Sequence, residues 1–203
     1  MKKRLSLLAA MLIFALACST QSGVSSQDNK AKTQTTPAQA TPANAQDQSQ
    51  AGAAMKALRD RLLTSSPKEV GLSGEDATAK VWGVLMEMAL PNGVATLVSV
   101  HDGTASLYTT SGGGILGGYS ARNEAKQFVA EAEKHLKGMK LTKSFPYPEV
   151  GRLKFYVLTQ DGVYTAEDAE KEVTRQGHAL FPLFAAGNEV LTALRKAQAA
   201  TKP

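Results

Sequence analysis

The chain has 203 residues, of which 43% are hydrophobic and 20% charged, a composition that allows one folded domain or two small ones. The formal net charge is +5, but Lys2, Lys3 and Arg4 supply three of these charges, and the other Lys and Arg residues are interleaved with Asp and Glu, so we expect no nucleic-acid partner. A single cysteine excludes an intrachain disulfide.

The first residues have the layout of a secretory signal peptide. Met1 to Arg4 is positively charged, and Leu5 to Leu16 is an apolar run. A helix that spans a membrane needs about 20 apolar residues, and this run is shorter. The pattern therefore predicts a signal peptide over residues 1–17 rather than a membrane span.

The end of this segment, Ala15-Leu16-Ala17-Cys18, resembles the lipobox of bacterial lipoprotein precursors, with Ala15 where Leu is more common. The resemblance implies cleavage before Cys18 and lipids on its sulfur and its new amine, so that a membrane is a partner through the lipid anchor. It also implies a place in the cell envelope. Ser19 favours the outer membrane, facing the periplasm, in a Gram-negative cell, and otherwise we expect the outer face of the plasma membrane. The alternative is a secreted protein in which Cys18 has no role.

The next segment has the composition of a tether. From Ser19 to Gln50 the chain is mostly Gln, Ser, Thr, Ala and Pro, without an aromatic residue. Such a segment cannot bury enough apolar surface to offset its conformational entropy. We therefore expect residues 18–52 to be a lipidated cysteine followed by a disordered tether, residues 53–198 to be one folded domain, and residues 199–203 to be a tail.

The first part of the folded domain predicts a helix and a strand. Ala53 to Leu63 has Met55, Leu58 and Leu62 on one helical stripe. Residues 74–90 fit two patterns, because their apolar residues match a helical stripe and also alternate as in a strand. We favour a strand over Lys80–Ala89, since the turn residues 91–93 then join it to the next strand as a hairpin.

A hairpin and a helix are predicted next. Val94–Val100 and Ala105–Thr110 are rich in β-branched residues and flank Asp102-Gly103, a strong hairpin signal. After a glycine-rich exit, we expect Ser120 to cap a helix that ends at Gly138. The inward face of this helix is expected to carry apolar residues at helical spacing, namely Ala125, Phe128, Val129, Ala132 and Leu136.

The C-terminal third predicts a second hairpin and two helices. Arg152–Thr159 alternates, with Leu153 and Phe155 on one face, and Asp161-Gly162 turns it into a strand at Val163-Tyr164. We expect a helix from Thr165 to near Gly177 and a last helix ending near Lys196. The result is an α+β fold with a five-stranded, mainly antiparallel sheet and helices packed on it. This order of elements resembles the roadblock, longin and profilin group of small α+β domains, a likeness that implies a fold and no activity.

One segment is a candidate ligand site. Residues 112–117 fit the pattern G-x-G-x-x-G before a helix, and the N-terminus of such a helix favours an anion. The strand before it belongs to a hairpin rather than to a parallel βαβ unit, and no P-loop lysine follows, so the other interpretation is a flexible crossover between elements. The candidate ligand-binding residues are Gly112, Gly113, Gly114, Gly117, Gly118 and Ser120.

The remaining polar residues predict no reaction. His101, His135 and His178 have no metal-ligand spacing, and no serine lies in a nucleophile elbow, so we expect neither a metal nor a cofactor. The sequence favours a lipid-anchored envelope protein with a non-catalytic domain that binds another envelope protein or a small ligand. The alternative is an envelope enzyme that acts on an anionic small molecule held at residues 112–118, with His101 or His178 as the general base.

Overall fold

The computed structural model describes residues 42–201, which form seven strands and five α-helices. The strands are β1 (Val81–Leu90), β2 (Gly93–Val100), β3 (Ala105–Thr109), β4 (Gly114–Gly118), β5 (Lys140–Thr142), β6 (Arg152–Thr159) and β7 (Gly162–Ala169). The helices are α1 (Pro42–Thr64), α2 (Glu75–Thr78), α3 (Arg122–His135), α4 (Glu170–Val173) and α5 (Phe181–Ala200). The predicted signal peptide, Cys18 and residues 19–41 of the predicted tether lie outside the described residues.

The strands form one antiparallel sheet in the order β4-β3-β2-β1-β6-β7-β5. This confirms the predicted α+β class and antiparallel sheet, but the expected number of five strands is wrong, because β4 and β5 were not predicted. These two strands form opposite edges of the sheet. Helix α3, which connects them along the chain, therefore carries the chain from one edge to the other.

Strand β1 lies at the centre of the sheet and confirms the strand predicted at Lys80–Ala89. It is buried on both faces, which explains why its apolar residues also match a helical stripe. A register irregularity between Val81 and Gly83 changes the alternation at the start of the strand. As a result Trp82 packs with Leu85 on one face, while Val84 and Met86 pack on the other.

Helices cover both faces of the sheet. On one face α3 and α5 pack against each other and against the sheet, burying Phe128 and Leu194 with Met86 and Phe155. Of the residues predicted to face inward, Ala125, Phe128, Val129 and Ala132 of α3 are buried, and Leu136, directly after α3, is partly buried against the same cluster. On the opposite face, Leu63 at the end of α1 belongs to a second apolar cluster with Trp82, Leu85 and Tyr156. The sheet is thus the middle layer of the domain.

Helix α1 differs from the predicted one in its length and in its buried face. It begins at Pro42 rather than Ala53, because the Ala and Gln residues of this part of the expected tether are good helix formers. Gly52 is buried close to the carbonyl oxygen of Thr110, where a Cβ atom would lie only 2.3 Å away. Leu58, expected to face inward, is 41% exposed, since the charged Arg59 occupies the inward position.

The predicted helix from Thr165 to Gly177 is wrong. Strand β7 continues to Ala169, and only a four-residue helix, α4, follows it. The Thr165 hydroxyl donates a hydrogen bond to the carbonyl oxygen of Phe155 instead of capping a helix. Pairing along all of β6 stabilises the extended backbone, so tertiary contacts override the local helical signal.

The glycine-rich segment is a turn and a strand rather than a crossover. Gly112 and Gly113 have φ angles of 80° and 143° and form the turn after β3, and Gly114–Gly118 is the edge strand β4. Ser120 does not cap α3, since its hydroxyl donates to the carbonyl oxygen of Gly117 at 2.7 Å. Glycine is rare in strands, which is why the sequence did not predict β4.

We predict that Gly114→Ala destabilises the domain. A Cβ atom at this position would lie 2.4 Å from the Leu107 carbonyl oxygen, so the β3–β4 pair would have to separate. We expect the free energy of unfolding to fall by about 1–3 kcal/mol. The measurement is urea unfolding followed by the fluorescence of Trp82, the single tryptophan, which is 2% exposed.

Gly138→Ala is the matched control for this substitution. No atom lies within 4 Å of a Cβ atom placed there, and we expect little change in stability. Equal stability of the two variants would contradict the close approach of β3 to Gly114.

Candidate functional site

A buried ion pair joins helix α1 to the centre of the sheet. Arg59 of α1 is 2% exposed and Glu87 of β1 is fully buried. The guanidinium donates from Nε to Oε1 of Glu87 at 2.5 Å and from Nη2 to Oε2 at 2.9 Å. The hydroxyl of Thr96 on β2 also donates to Glu87, at 3.1 Å. The carboxylate is therefore held by three hydrogen bonds in the interior.

Aromatic rings enclose this pair. The Arg59 guanidinium carbon lies 4.0 Å from the ring centroid of Tyr147 and 5.5 Å from that of Tyr156. Burial acts to lower the pKa of Arg59, but the hydrogen bond and the charge of Glu87 raise it overall. Burial, and then the charge of Glu87, raises the pKa of Tyr156 to about 12. Both side chains thus keep their ordinary protonation states at neutral pH.

The polar side chains continue across the sheet as a row of alternating charge. Glu87 lies opposite Lys154 of β6, which lies opposite Glu167 of β7. Lys154 is 7% exposed, and its Nζ is 2.8 Å from Oε2 of Glu167 and donates to the Pro146 carbonyl oxygen at 3.2 Å. Arg152 donates from Nε to Oε1 of Glu167 at 2.7 Å. Burial opposes ionisation of Glu167, but Lys154 and Arg152 outweigh it and lower its pKa.

The row ends at a concave surface that we call the edge groove. Strand β5 pairs only with residues 163–165 of β7, so the rest of β7 has no strand on its outer side within residues 42–201. The opening has a volume of about 640 Å³. The polar side chains that line it come from separate segments of the chain: Lys140 and Thr142 of β5, Ser144, Arg152, Lys154 and Tyr156, Thr165, Glu167 and Asp168 of β7, and His135 and His178.

His178 lies in the edge groove with both ring nitrogens occupied. Its Nδ1 accepts a hydrogen bond from the backbone N–H of Leu180 at 3.2 Å, so in the neutral ring the hydrogen is on Nε2, which is 3.3 Å from Oδ2 of Asp168. The backbone N–H of Ala169 and then His178 lower the pKa of Asp168. Both ring nitrogens of His178 are thus engaged by protein groups.

The candidate ligand-binding residues from the sequence, and His101, lie elsewhere. Gly112, Gly113, Gly114, Gly117, Gly118 and Ser120 belong to the β4 edge, at the far side of the sheet from the edge groove. His101 follows β2, and its Nδ1 is 2.7 Å from Oδ1 of Asp76. His135 is 3.1 Å from Glu131 of the same helix. The structure therefore does not bring His178 together with the glycine-rich segment.

Sequence reasoning missed the residues of the charged row, namely Arg59, Glu87, Lys154 and Glu167. One signal was available, since Glu87 is the only charged residue in the otherwise apolar run Val81–Leu90. A charge in the middle of a buried strand requires a partner. The sequence could not show that the partner comes from α1, because Arg59 lies next to Asp60 and Arg61 and looks like part of a solvated helix face.

The comparisons with known proteins name no relative. No protein-family model, no curated protein and no solved structure matches this chain. In the part of the chain that the structure describes, no three His, Cys, Asp or Glu side chains are grouped as a metal site would need. None of the helices of residues 42–201 has the length and apolar character to cross a bilayer.

We predict that the buried pair acts as one unit in stability. Removing one partner, by Arg59→Leu or Glu87→Leu, leaves a buried charge without its counter-ion and should lower the free energy of unfolding by about 3–5 kcal/mol. The double variant should lose much less than the sum of the two. Urea unfolding of all four proteins, followed by Trp82 fluorescence, gives the coupling energy.

Lys56→Gln provides the control for this cycle, because it removes the exposed ion pair of Lys56 with Asp60 on the same helix. It should cost no more than about 1 kcal/mol. Single variants of the buried pair that cost no more than this control would contradict the prediction.

Proposed function

We propose that this chain is a lipid-anchored protein of the cell envelope whose domain binds a ligand in the edge groove without chemical conversion. The proposal has two independent parts, the anchor and the binding site. The single observation that supports the binding site is the convergence of charged side chains from β5, β6 and β7 on one concave surface. Concave sites with a few convergent polar groups are typical of small-ligand binding.

The anchor is supported by the sequence of the first twenty residues. The single cysteine of the chain falls at the position where a lipobox requires it, directly after an apolar segment with a basic start. Each buried methylene contributes about 0.8 kcal/mol, and a single acyl chain binds a membrane only marginally. Two or more acyl chains are therefore needed for stable attachment. Attachment at Cys18 would place the domain at a membrane surface, connected through the residues that precede α1.

The edge groove is favoured over the glycine-rich segment as the binding site. Gly114 and Gly117 allow close contact of β4 with β3 and α5, since a Cβ atom at Gly117 would lie 2.0 Å from Leu194. Their role in packing explains these glycines without a ligand. In the edge groove, by contrast, the buried Lys154 is held in place by Glu167 and Pro146 beside an opening. A fixed charged group of this kind is what a specific polar ligand requires.

The alternative function, an envelope enzyme for an anionic small molecule held at residues 112–118, depends on a histidine base near that segment. His178 lies at the other edge of the sheet, and the hydrogen bond of the His101 ring is to Asp76 rather than to a residue of 112–118. No observation on the described residues favours the enzyme over the binding protein.

We predict that Cys18 carries lipid. When the full-length chain is expressed in a bacterium that is fed an alkyne analogue of palmitate, the protein should become labelled and sediment with membranes. Cys18→Ser should abolish the label, because no other thiol exists in the chain. Labelling that persists in Cys18→Ser, or a mature protein of unmodified mass, would contradict the anchor and leave the binding site unaffected.

We predict that ligands of the domain occupy the edge groove. A library of small polar compounds should be screened against the mature chain in nonionic detergent by saturation-transfer NMR. Ser144→Trp places a large ring in the groove and should abolish binding of the compounds found. Ser111→Trp, at the exposed turn before β4, is the matched control and should retain it. Hits that are lost in Ser111→Trp instead would move the site to the β4 edge.

A further inference from the structure

We propose that the ligand of the edge groove is an anion, a phosphate or carboxylate group held by Lys140, Arg152 and Lys154. This inference rests on the proposed function and names the chemistry of the ligand. It follows from the number of hydrogen-bond donors that the groove leaves uncommitted, from the state of its acceptors, and from the distribution of charge along this edge of the sheet.

Each of the three cations has N–H groups that donate no hydrogen bond within the described residues. Lys154 uses two of its three N–H groups on Glu167 and Pro146. Arg152 uses Nε, and its four terminal N–H groups have no partner among the described residues. Lys140 is exposed on β5, and within residues 42–201 no hydrogen bond or ion pair engages its amine. Lysine and arginine side chains only donate hydrogen bonds, so each N–H group without a protein partner needs an acceptor from a ligand or from water.

The acceptors of the groove are already engaged by the protein. Each oxygen of the Glu167 carboxylate is paired with a cation, one with Arg152 and the other with Lys154. The Asp168 oxygens receive the N–H of Ala169 and the His178 ring. The two carboxylates thus hold protein groups in place and are poorly placed to bind an ammonium or a metal ion. A site with free donors and occupied acceptors fits a ligand that is rich in acceptors.

The hydroxyl groups of the groove support the same conclusion. The Tyr156 hydroxyl donates to the Pro146 carbonyl oxygen at 2.6 Å, and the Thr165 hydroxyl donates to that of Phe155 at 2.9 Å. Both are fixed by the backbone. The Ser144 hydroxyl is exposed at the rim and can donate to a ligand oxygen.

The chain segment that contains β5 and enters β6 is basic, while β7 contributes the acidic Glu167 and Asp168 to the same edge. Although Lys and Arg alternate with Asp and Glu over most of the chain, residues 134–154 contain six basic residues and one acidic residue. Lys137 and Lys143, which precede and follow β5 in the chain, are exposed. Basic groups around a concave site raise the local concentration of anions and speed their binding. This excess distinguishes the β5 edge from the β4 edge, where the chain from Gly103 to Ala121 has no charged residue.

The test is a titration of the mature chain in nonionic detergent with inorganic phosphate, with glycerol phosphate as a mimic of a lipid headgroup, and with acetate. Binding is followed by the amide NMR signals of β5 and β7. At least one of the three anions should shift these signals saturably, and the tightest binder identifies the source as a free phosphate, a phospholipid headgroup or a carboxylate. Higher salt should weaken the binding.

Substitutions of two of the three cations, Arg152 and Lys140, test whether the binding depends on the groove. Arg152→Gln removes a charged hydrogen-bond donor and should weaken binding about tenfold, and Lys140→Gln, at an exposed position, about threefold. Lys126→Gln, on the exposed side of α3, removes the same charge away from the groove and should leave the affinity unchanged.

The outcomes separate this inference from the proposed function. Saturable shifts that depend on Arg152 and Lys140, but not on Lys126, support the anion site. If none of the three anions binds, or if Lys126→Gln weakens binding as much as Arg152→Gln, the anion site is overturned. Neutral compounds that still bind in a manner sensitive to Ser144→Trp would then leave the proposed function standing. If Ser144→Trp changes the binding of no ligand, both the anion site and the proposed ligand binding in the edge groove are contradicted.

Discussion

The arrangement of one whole face of the sheet depends on the buried contact between Arg59 and Glu87. Helix α1 is rich in Ala and Gln and presents few large apolar side chains, so the hydrophobic effect alone gives it a weak preference for a position on the sheet. The two hydrogen bonds from the guanidinium fix both its rotation and its register along the sheet. An ion pair in the interior contributes little net stability, but it discriminates strongly against positions that leave either charge unpaired.

The same contact extends toward the edge groove. Because Glu87, Lys154 and Glu167 lie opposite one another on neighbouring strands, each charge has a counter-charge on at least one side. Tyr156, which lies on this face, contacts the Arg59 guanidinium with its ring and the Pro146 carbonyl with its hydroxyl. The interior pair and the open edge are thus parts of one polar network, with its buried end under α1 and its accessible end at β5 and β7.

The sequence predicted the structure correctly where apolar residues alternate clearly. It failed where glycine forms a strand or where a charged residue is buried. The faces of β6 were predicted correctly because Leu153, Phe155 and Val157 alternate with polar residues. The strand β4 was missed because its glycines have low strand propensity and are accepted only through pairing with β3. Arg59 was missed because a charged residue in a helix is normally expected to face solvent, as Lys56 does.

The edge groove could not be predicted for a different physical reason. It exists because β5 is shorter than β7, and because β5 lies at the edge opposite β4. The position of β5 depends on how α3 crosses the sheet, which no local pattern encodes. Individual residues of the groove, such as Lys154 and Glu167, belong to no sequence motif. They become neighbours only through the register of β6 and β7.

The order of strands also has a consequence for the kinetics of folding. Strands β1 to β4 pair with their neighbours in the chain, and β6 pairs with β7 in the same way, so most of the sheet can assemble from local hairpins. The seam between β1 and β6 is different, because it joins strands that are separated by the whole of β2 to β5 and by α3. Closing that long loop costs conformational entropy before the contacts between β1 and β6 can stabilise the chain. We therefore expect formation of the β1–β6 pairing to be the slow step of folding, and Glu87 of the buried ion pair lies within this pairing.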